Sequence, residues 1–207
     1  MKPRFQLVLV TDTALVGAEE TLARLRSMPL DSRVAVEVRG KAIPTRALIE
    51  FAVLAREVAV SRGAALIVND RVDVALATRA DGVHLPANGL PVSVSRSLCG
   101  DARFVGCSIH APGESRMEGA DFFRFGPVFA TPSKAAFGPP QGIDGLRDAV
   151  ICAGKRSVFG VGGIDIGRIA AVREAGAHGV AVIRDWLTAR DPARWLVDAL
   201  LALSGRA

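Results

Sequence analysis

The residues in this chain that could do chemistry fall in short clusters, each close to an apolar run. Arg39 and Lys41 stand two apart. If the chain stays extended there, both side chains point the same way, and a pair of cations suits a diphosphate or a carboxylate. Asn69-Asp70-Arg71 sets an amide, a carboxylate and a guanidinium in succession. Asp70 can hold Mg2+ through oxygen or cap a following helix. Ser108-Ile109-His110 brings a hydroxyl near an imidazole, the side chain that titrates near neutrality and moves protons. Thr131-Pro132-Ser133-Lys134, with glycines following, offers a second anion contact. Gly162-Gly163-Ile164-Asp165 lets backbone N–H groups approach phosphate oxygens ahead of a helix N-terminus that favours an anion. Each cluster also has a plain structural explanation. Arg39 and the lysines fit a solvated rim, the glycines a tight turn, and Asp70 a helix cap.

The elements that would position these residues are short and regularly spaced. Apolar runs at Phe5–Val10, Val34–Val38, Ala65–Val68, Gly82–Leu85, Phe104–Cys107, Phe122–Phe125, Val158–Val161 and Gly179–Ile183 read as strands. They are mostly continuous rather than alternating, as in a parallel sheet buried on both faces. Amphipathic stretches lie between them. Thr45–Arg62 carries Ala47, Leu48, Phe51, Leu54, Ala55 and Val58 at helical spacing. Ile166–Ala175 follows Asp165 as N-cap and ends at Gly176. Eight strands with intervening helices predict an α/β fold, a single (β/α)8 TIM barrel over residues 1–207. The competing open doubly wound sheet usually carries G-x-G-x-x-G after its first strand, whereas Thr11-Asp12-Thr13 stands there. Barrel sites collect at strand C-termini, with phosphate often bound after strands 7 and 8. All five clusters fall at predicted strand ends, and Arg184-Asp185 closes the eighth. His84 is expected to pack in or near the core, and His178 to lie at the opposite end of the barrel.

Composition narrows the function classes. The net charge of +5 comes from scattered arginines, with only Lys2, Lys41, Lys134 and Lys155 as lysines. No basic stripe or tail points to nucleic acid. No apolar run approaches the roughly 18 residues of a membrane span, and no signal-peptide layout precedes the first strand. Cys99, Cys107 and Cys152 are odd in number and lack metal spacing, so reduced thiols and a cytoplasmic location are expected.

In order along the chain, several segments together resemble the thiamine-phosphate synthase/TenI superfamily of thiamine biosynthesis. They are Leu9-Val10-Thr11-Asp12, Val38-Arg39-Gly40-Lys41, Val68-Asn69-Asp70-Arg71, Asp81-Gly82-Val83-His84-Leu85, Gly106-Cys107-Ser108-Ile109-His110, Gly126-Pro127-Val128-Phe129-Ala130-Thr131-Pro132-Ser133-Lys134, Gly160-Val161-Gly162-Gly163-Ile164 and Ala175-Gly176-Ala177-His178-Gly179-Val180-Ala181-Val182-Ile183. The resemblance implies small phosphorylated thiazole and pyrimidine ligands, and it allows a homodimer. In a synthase, Arg39 and Lys41 would meet a hydroxymethylpyrimidine diphosphate, Asn69 the pyrimidine and Asp70 a Mg2+ ion. Ser108 and Lys134 would line the reacting centre and Thr131 the thiazole side, while Gly162, Gly163, Ile183 and Arg184 would hold the thiazole phosphate. In a TenI-like tautomerase, which needs no cofactor, the histidine matching His110 would move a proton on the thiazole.

Three departures bear on that choice. Synthases usually carry a second metal-binding aspartate after strand 4, where His84-Leu85-Pro86-Ala87-Asn88-Gly89 has no carboxylate. The serine expected after strand 8 is Arg184, and Leu-Pro with Gly-x-Ser-Ile-His look like TenI. The sequence therefore favours a thiazole tautomerase. The alternatives are a thiamine-phosphate synthase and a non-catalytic or regulatory thiazole-phosphate-binding paralogue. The 130–142 loop is expected to act as a lid.

Overall fold

A computed structural model describes residues 1–40, 43–111, 114, 118–131 and 139–205. Eight parallel strands, β1 (Leu7–Val10), β2 (Val34–Val38), β3 (Ala65–Asn69), β4 (Gly82–Leu85), β5 (Phe104–Ile109), β6 (Phe122–Phe125), β7 (Ser157–Val161) and β8 (Gly179–Val182), pair in chain order. β8 returns to β1 and closes the barrel. The strands read as continuous apolar runs because both faces are buried. Val8 and Val10, Ala35, Ile67, Phe122, Phe159 and Ala181 pack with one another inside the barrel. Leu7, Leu9, Val34, Val36, Val38, Leu66 and Val68 face the opposite way and join the helices in the larger core.

The helices are α1 (Thr13–Val16), α2 (Ala18–Ser27), α3 (Thr45–Ser61), α4 (Val72–Ala77), α5 (Val92–Cys99), α6 (Gly142–Ala153), α7 (Ile166–Glu174), α8 (Arg184–Leu187) and α9 (Pro192–Ser204). Leu48, Phe51, Ala52, Ala55 and Ala59 form the buried stripe of α3. Full burial of a residue such as Phe51 is worth about 1.5–3 kcal/mol. Asp165 caps α7 by accepting from the Arg168 N–H at 3.1 Å, as its place in the sequence predicts. Asp191 caps α9, which has proline in its first turn. Strict strand–helix alternation does not hold throughout: two helices lie between β1 and β2, α8 and α9 both follow β8, and no helix is assigned between β5 and β6 among the described residues. None of the described helices is long and apolar enough to cross a membrane.

The N-terminal mouth of the barrel is closed by aromatic rings. Phe5 stacks on Phe159 at 5.5 Å and meets Phe104 and Phe122 edge-on at 5.7 and 5.9 Å. A Cβ at Gly106 would sit only 2.2 Å from the Phe122 ring, so this glycine makes room for the plug. Plugging also explains why β1 begins at Leu7 rather than Phe5: Phe5 turns inward as a stopper. His178 lies at this closed end with its Nε2 3.1 Å from the Phe5 carbonyl, away from the rim, as expected.

Candidate functional site

At the open end, each strand delivers polar groups to the rim. Thr11 fastens the ends of β1 and β2: its hydroxyl oxygen accepts from the Arg39 N–H at 2.9 Å. Arg39 in turn donates through Nη1 to Asp12 at 2.8 Å. Asp12 also caps α1, accepting from the Ala14 N–H. Arg39 is thus a held, half-buried cation rather than a free rim charge.

Beneath the rim lies a polar layer that the aliphatic strand patterns conceal. Glu37 of β2 is fully buried and makes a two-pronged ion pair with Arg124 of β6, Nη1 to Oε1 at 2.8 Å and Nη2 to Oε2. Burial pushes the Glu37 carboxyl up, but the Arg124 charge, the His84 ring and their hydrogen bonds outweigh it and hold the group at about 2. His84 of β4 stands in the same layer. Its Nδ1 lies 3.5 Å from Glu37 Oε1 and 3.3 Å from the Asn69 amide nitrogen, and its Nε2 lies 3.3 Å from the Ser108 hydroxyl. His84 is buried, as its setting in a strand predicts, yet it joins Asn69 and Ser108, two residues singled out for chemistry. Glu37, Arg124 and this bridging role are what the sequence reading missed. The available signal was a single charge inside each of two otherwise apolar strands, Val-Ala-Val-Glu-Val and Phe-Phe-Arg-Phe. Buried charges are found paired.

Asp70 follows β3 in a left-handed conformation, φ 67°, which aspartate tolerates better than most residues. Its N–H donates to the His84 carbonyl at 2.8 Å. It does not cap α4: the N-cap there is Arg71, with no side-chain cap bond. The cap alternative for Asp70 is therefore set aside and its carboxylate stays exposed at the rim. A Cβ built at Gly89 would lie 3.0 Å from Asp70 Oδ1. Position 89 therefore faces Asp70, and the sequence puts a glycine there instead of a second carboxylate. Among the described residues no group of three or more His, Cys, Asp or Glu could hold a metal ion. Asp70 fits Mg2+ only as one ligand among several, because Mg2+ sites commonly combine one or two carboxylates with water and substrate phosphate.

His110 is exposed beyond β5, with Nδ1 2.7 Å from the Gly126 carbonyl. A carbonyl only accepts, so Nδ1 is the ring nitrogen that donates here, and Nε2 points away from this contact. Glu114 accepts from the N–H groups of both His110 and Ala111 and fixes this turn. The neighbouring glycine loop follows β7. Gly162 and Gly163 have φ of 97° and 63°, and a Cβ on either would fall within 2.7 Å of the segment after β6, on Pro127 or the Ala130 carbonyl. Close approach and positive φ both require glycine here. Arg168 pins the loop by donating to the Gly163 carbonyl at 2.5 Å while lying over the Phe129 ring, 4.9 Å away. Ile183 caps α8, and Arg184 opens it with its side chain exposed. Buried Trp186 ties α8 to β1 by donating to the Val10 carbonyl at 3.1 Å.

Asn69 and Ser108 therefore meet at His84, with Asp70 beside them. Gly162 and Gly163 pack against the segment after β6, and Arg39 stands apart with Asp12. Thr131 is half-buried at the edge of the described residues. Lys41 and Lys134 lie outside them, as does most of the expected lid.

Residues 7–185 match the TMP-TENI family, described as thiamine monophosphate synthase. A Geobacter sulfurreducens protein, provisionally assigned as a thiamine-phosphate synthase, is 43% identical over 205 residues, covering 98% of this chain and 95% of its own. The thiamine-phosphate synthase of Moorella thermoacetica is 40% identical over 194 residues, covering 92% of each chain. Among solved structures, a thiamine phosphate pyrophosphorylase from Pyrococcus furiosus superposes with a TM-score of 0.85 at 28% identity, covering 99% of this chain and 98% of its own.

Proposed function

The chain belongs to the TMP-TENI family of thiamine monophosphate synthases, and from that premise we propose that it is a thiamine-phosphate synthase. It would join hydroxymethylpyrimidine diphosphate to thiazole phosphate and release pyrophosphate. The observation that carries this reading is similarity to named synthases over nearly the full length of both chains. It favours the synthase over the tautomerase that the sequence motifs suggested.

In this reaction the bond from the pyrimidine methylene carbon to the diphosphate oxygen breaks, and its electron pair leaves with pyrophosphate. The thiazole nitrogen supplies the pair for the new carbon–nitrogen bond. The protein's task is to stabilise charge on the departing diphosphate and on the pyrimidine methylene, which fixed cations and dipoles at a preorganised site do well. Arg39, held by Asp12, would face the diphosphate with Lys41 and Lys134. Asn69 and Ser108 would orient the pyrimidine ring. Thr131 would line the thiazole, and backbone at Gly162, Gly163, Ile183 and Arg184 would bind its phosphate. Asp70 would hold Mg2+ together with diphosphate and water oxygens; when bound, the ion supplies further neutralisation of the diphosphate.

One pair of observations favours a second reading, the tautomerase: position 89, which faces Asp70, is a glycine rather than a carboxylate, and the exposed His110 is oriented by an Nδ1 hydrogen bond to the Gly126 carbonyl. The His110→Ala variant separates the two, assayed with pyrimidine diphosphate plus aromatic thiazole phosphate and, separately, with the non-aromatic thiazole. The synthase reading expects coupling to persist and no aromatisation by the parent protein. Aromatisation by the parent that disappears in His110→Ala, with no coupling in either, would overturn it.

A further inference from the structure

The glycine turn after β7 is braced from α7 by a side chain. Gly162 and Gly163 both have positive φ, 97° and 63°, and glycine can rotate either peptide out of that shape at little cost. Two hydrogen bonds oppose such rotation. The Gly162 carbonyl accepts from the Phe129 N–H at 3.0 Å. The Gly163 carbonyl accepts from Arg168 Nη1 at 2.5 Å. Both peptides are trans, and in a planar trans unit the N–H points opposite to the C=O. Fixing the Gly162 carbonyl therefore aims the Gly163 N–H, and fixing the Gly163 carbonyl aims the Ile164 N–H. Both carbonyls are drawn towards Phe129, because the Arg168 guanidinium lies over that ring, 4.9 Å from its centre. The two N–H groups face the other way, as successive donors of an anion-binding backbone concavity do. Ile164 anchors the end of the turn with its buried side chain.

Arg168 is itself set by α7. Asp165 accepts the Arg168 N–H at 3.1 Å as the helix cap, and its Oδ2 stands 3.6 Å from Arg168 Nε. The guanidinium thus meets a carboxylate, an aromatic face and a carbonyl together, which a planar fork can do and an ammonium cannot. The Arg168 side chain is 46% exposed, so plain attraction of an anion through solvent is the competing role. Two points weigh against it. The Asp165 carboxylate offsets the Arg168 charge at a distance, and exposed charges are screened by salt. Attraction needs only a positive charge at position 168, whereas bracing the turn needs the fork.

We propose that Arg168 is a positioning residue: it holds the Gly163 carbonyl so that the Ile164 N–H, beside the Gly163 N–H, is preset for a phosphate that Arg168 does not touch. The identity of the phosphate ester rests on the synthase reading. The bracing role of Arg168 does not.

Calorimetry on the full chain tests it, using thiazole phosphate and the corresponding unphosphorylated alcohol. Arg168→Ala is expected to weaken phosphate-ester binding by about tenfold, the worth of one hydrogen bond, by the same factor at low and high salt. Binding of the alcohol is expected to stay unchanged. Arg168→Lys, which keeps the charge and loses the fork, is expected to stay close to Arg168→Ala. In turnover, KM for thiazole phosphate should rise by the same factor while KM for the pyrimidine diphosphate holds. Full recovery in Arg168→Lys, a loss that vanishes at high salt, or an equal loss for the alcohol overturns the proposal and leaves the synthase reading intact. If the unmodified protein binds neither thiazole, the synthase reading fails, and inorganic phosphate decides the proposal alone through the Gly163 and Ile164 amide signals in nitrogen-15 NMR. Phosphate-induced shifts whose affinity drops about tenfold in Arg168→Ala uphold it. Absent shifts, or shifts of equal affinity in both proteins, overturn it.

Discussion

The two ends of the barrel solve opposite problems. At the closed end, Phe5, Phe104, Phe122 and Phe159 interlock, with Gly106 yielding space to Phe122. At the open end, Asp70 takes a left-handed turn, Gly162 and Gly163 let two loops touch, and Asp70, His110 and Arg184 stand exposed. Conformations of this kind persist only where surrounding structure holds them. At the rim that support is local: Arg168 holds the Gly163 carbonyl, and the His84 carbonyl holds the Asp70 N–H. Between the two, the Glu37–Arg124 pair belongs to both. It is buried like the plug and wired to the rim through His84.

Breaking the comparison at its middle should cost the most. Arg124→Met alone leaves Glu37 as an uncompensated buried charge and is expected to destabilise the fold by about 3–5 kcal/mol, whereas Glu37→Leu/Arg124→Met should be close to neutral. Denaturant unfolding measures both, and equal losses in the two variants would contradict the pairing account. At the closed end, Phe122→Ala should also cost about 3–5 kcal/mol. At the rim the pattern reverses. Asp70→Ala should leave stability within about 0.5 kcal/mol yet lower coupling of the two substrates by about 100-fold, the scale set by losing one preorganised electrostatic group.

The ion pair also makes a pH prediction. Glu37 has its carboxyl lowered from 4.5 to about 2 in the fold, so the folded state binds its proton less readily than the unfolded chain. Its stabilising contribution is complete above about 4.5 and is lost as the pH falls towards about 2. Denaturation midpoints across that window should fall more steeply in the parent protein than in Glu37→Leu/Arg124→Met. The smallest expected effect is a gain. Gly89→Asp would put a second carboxylate beside Asp70 and lower the Mg2+ concentration for half-maximal coupling several-fold, read from a Mg2+ titration of turnover.

The two regions were also unequally legible. Strands β2, β4 and β6 coincide with their apolar runs, because a strand buried on both faces is apolar at nearly every position, with Glu37, His84 and Arg124 as the exceptions. β5 runs on to Ile109, since Ser108 and Ile109 still pair with Arg124 and Phe125 across the sheet, a register that no local pattern records. The rim clusters were readable because they lie at or beyond the C-terminal ends of strands. Their partners were not: Arg39 finds Asp12 across 27 residues, and Arg124 finds Glu37 across 87. Asp70 read equally well as a cap or a ligand until the backbone placed it beside Gly89.

The measurement that bears most directly on the whole account is the stoichiometry of coupling. Purified protein, pyrimidine diphosphate and aromatic thiazole phosphate are mixed with Mg2+, and thiamine phosphate and pyrophosphate are both quantified. A thiamine-phosphate synthase forms equal amounts of the two, rising together with time and strongly reduced in Asp70→Ala. Folded protein that forms neither product would contradict it.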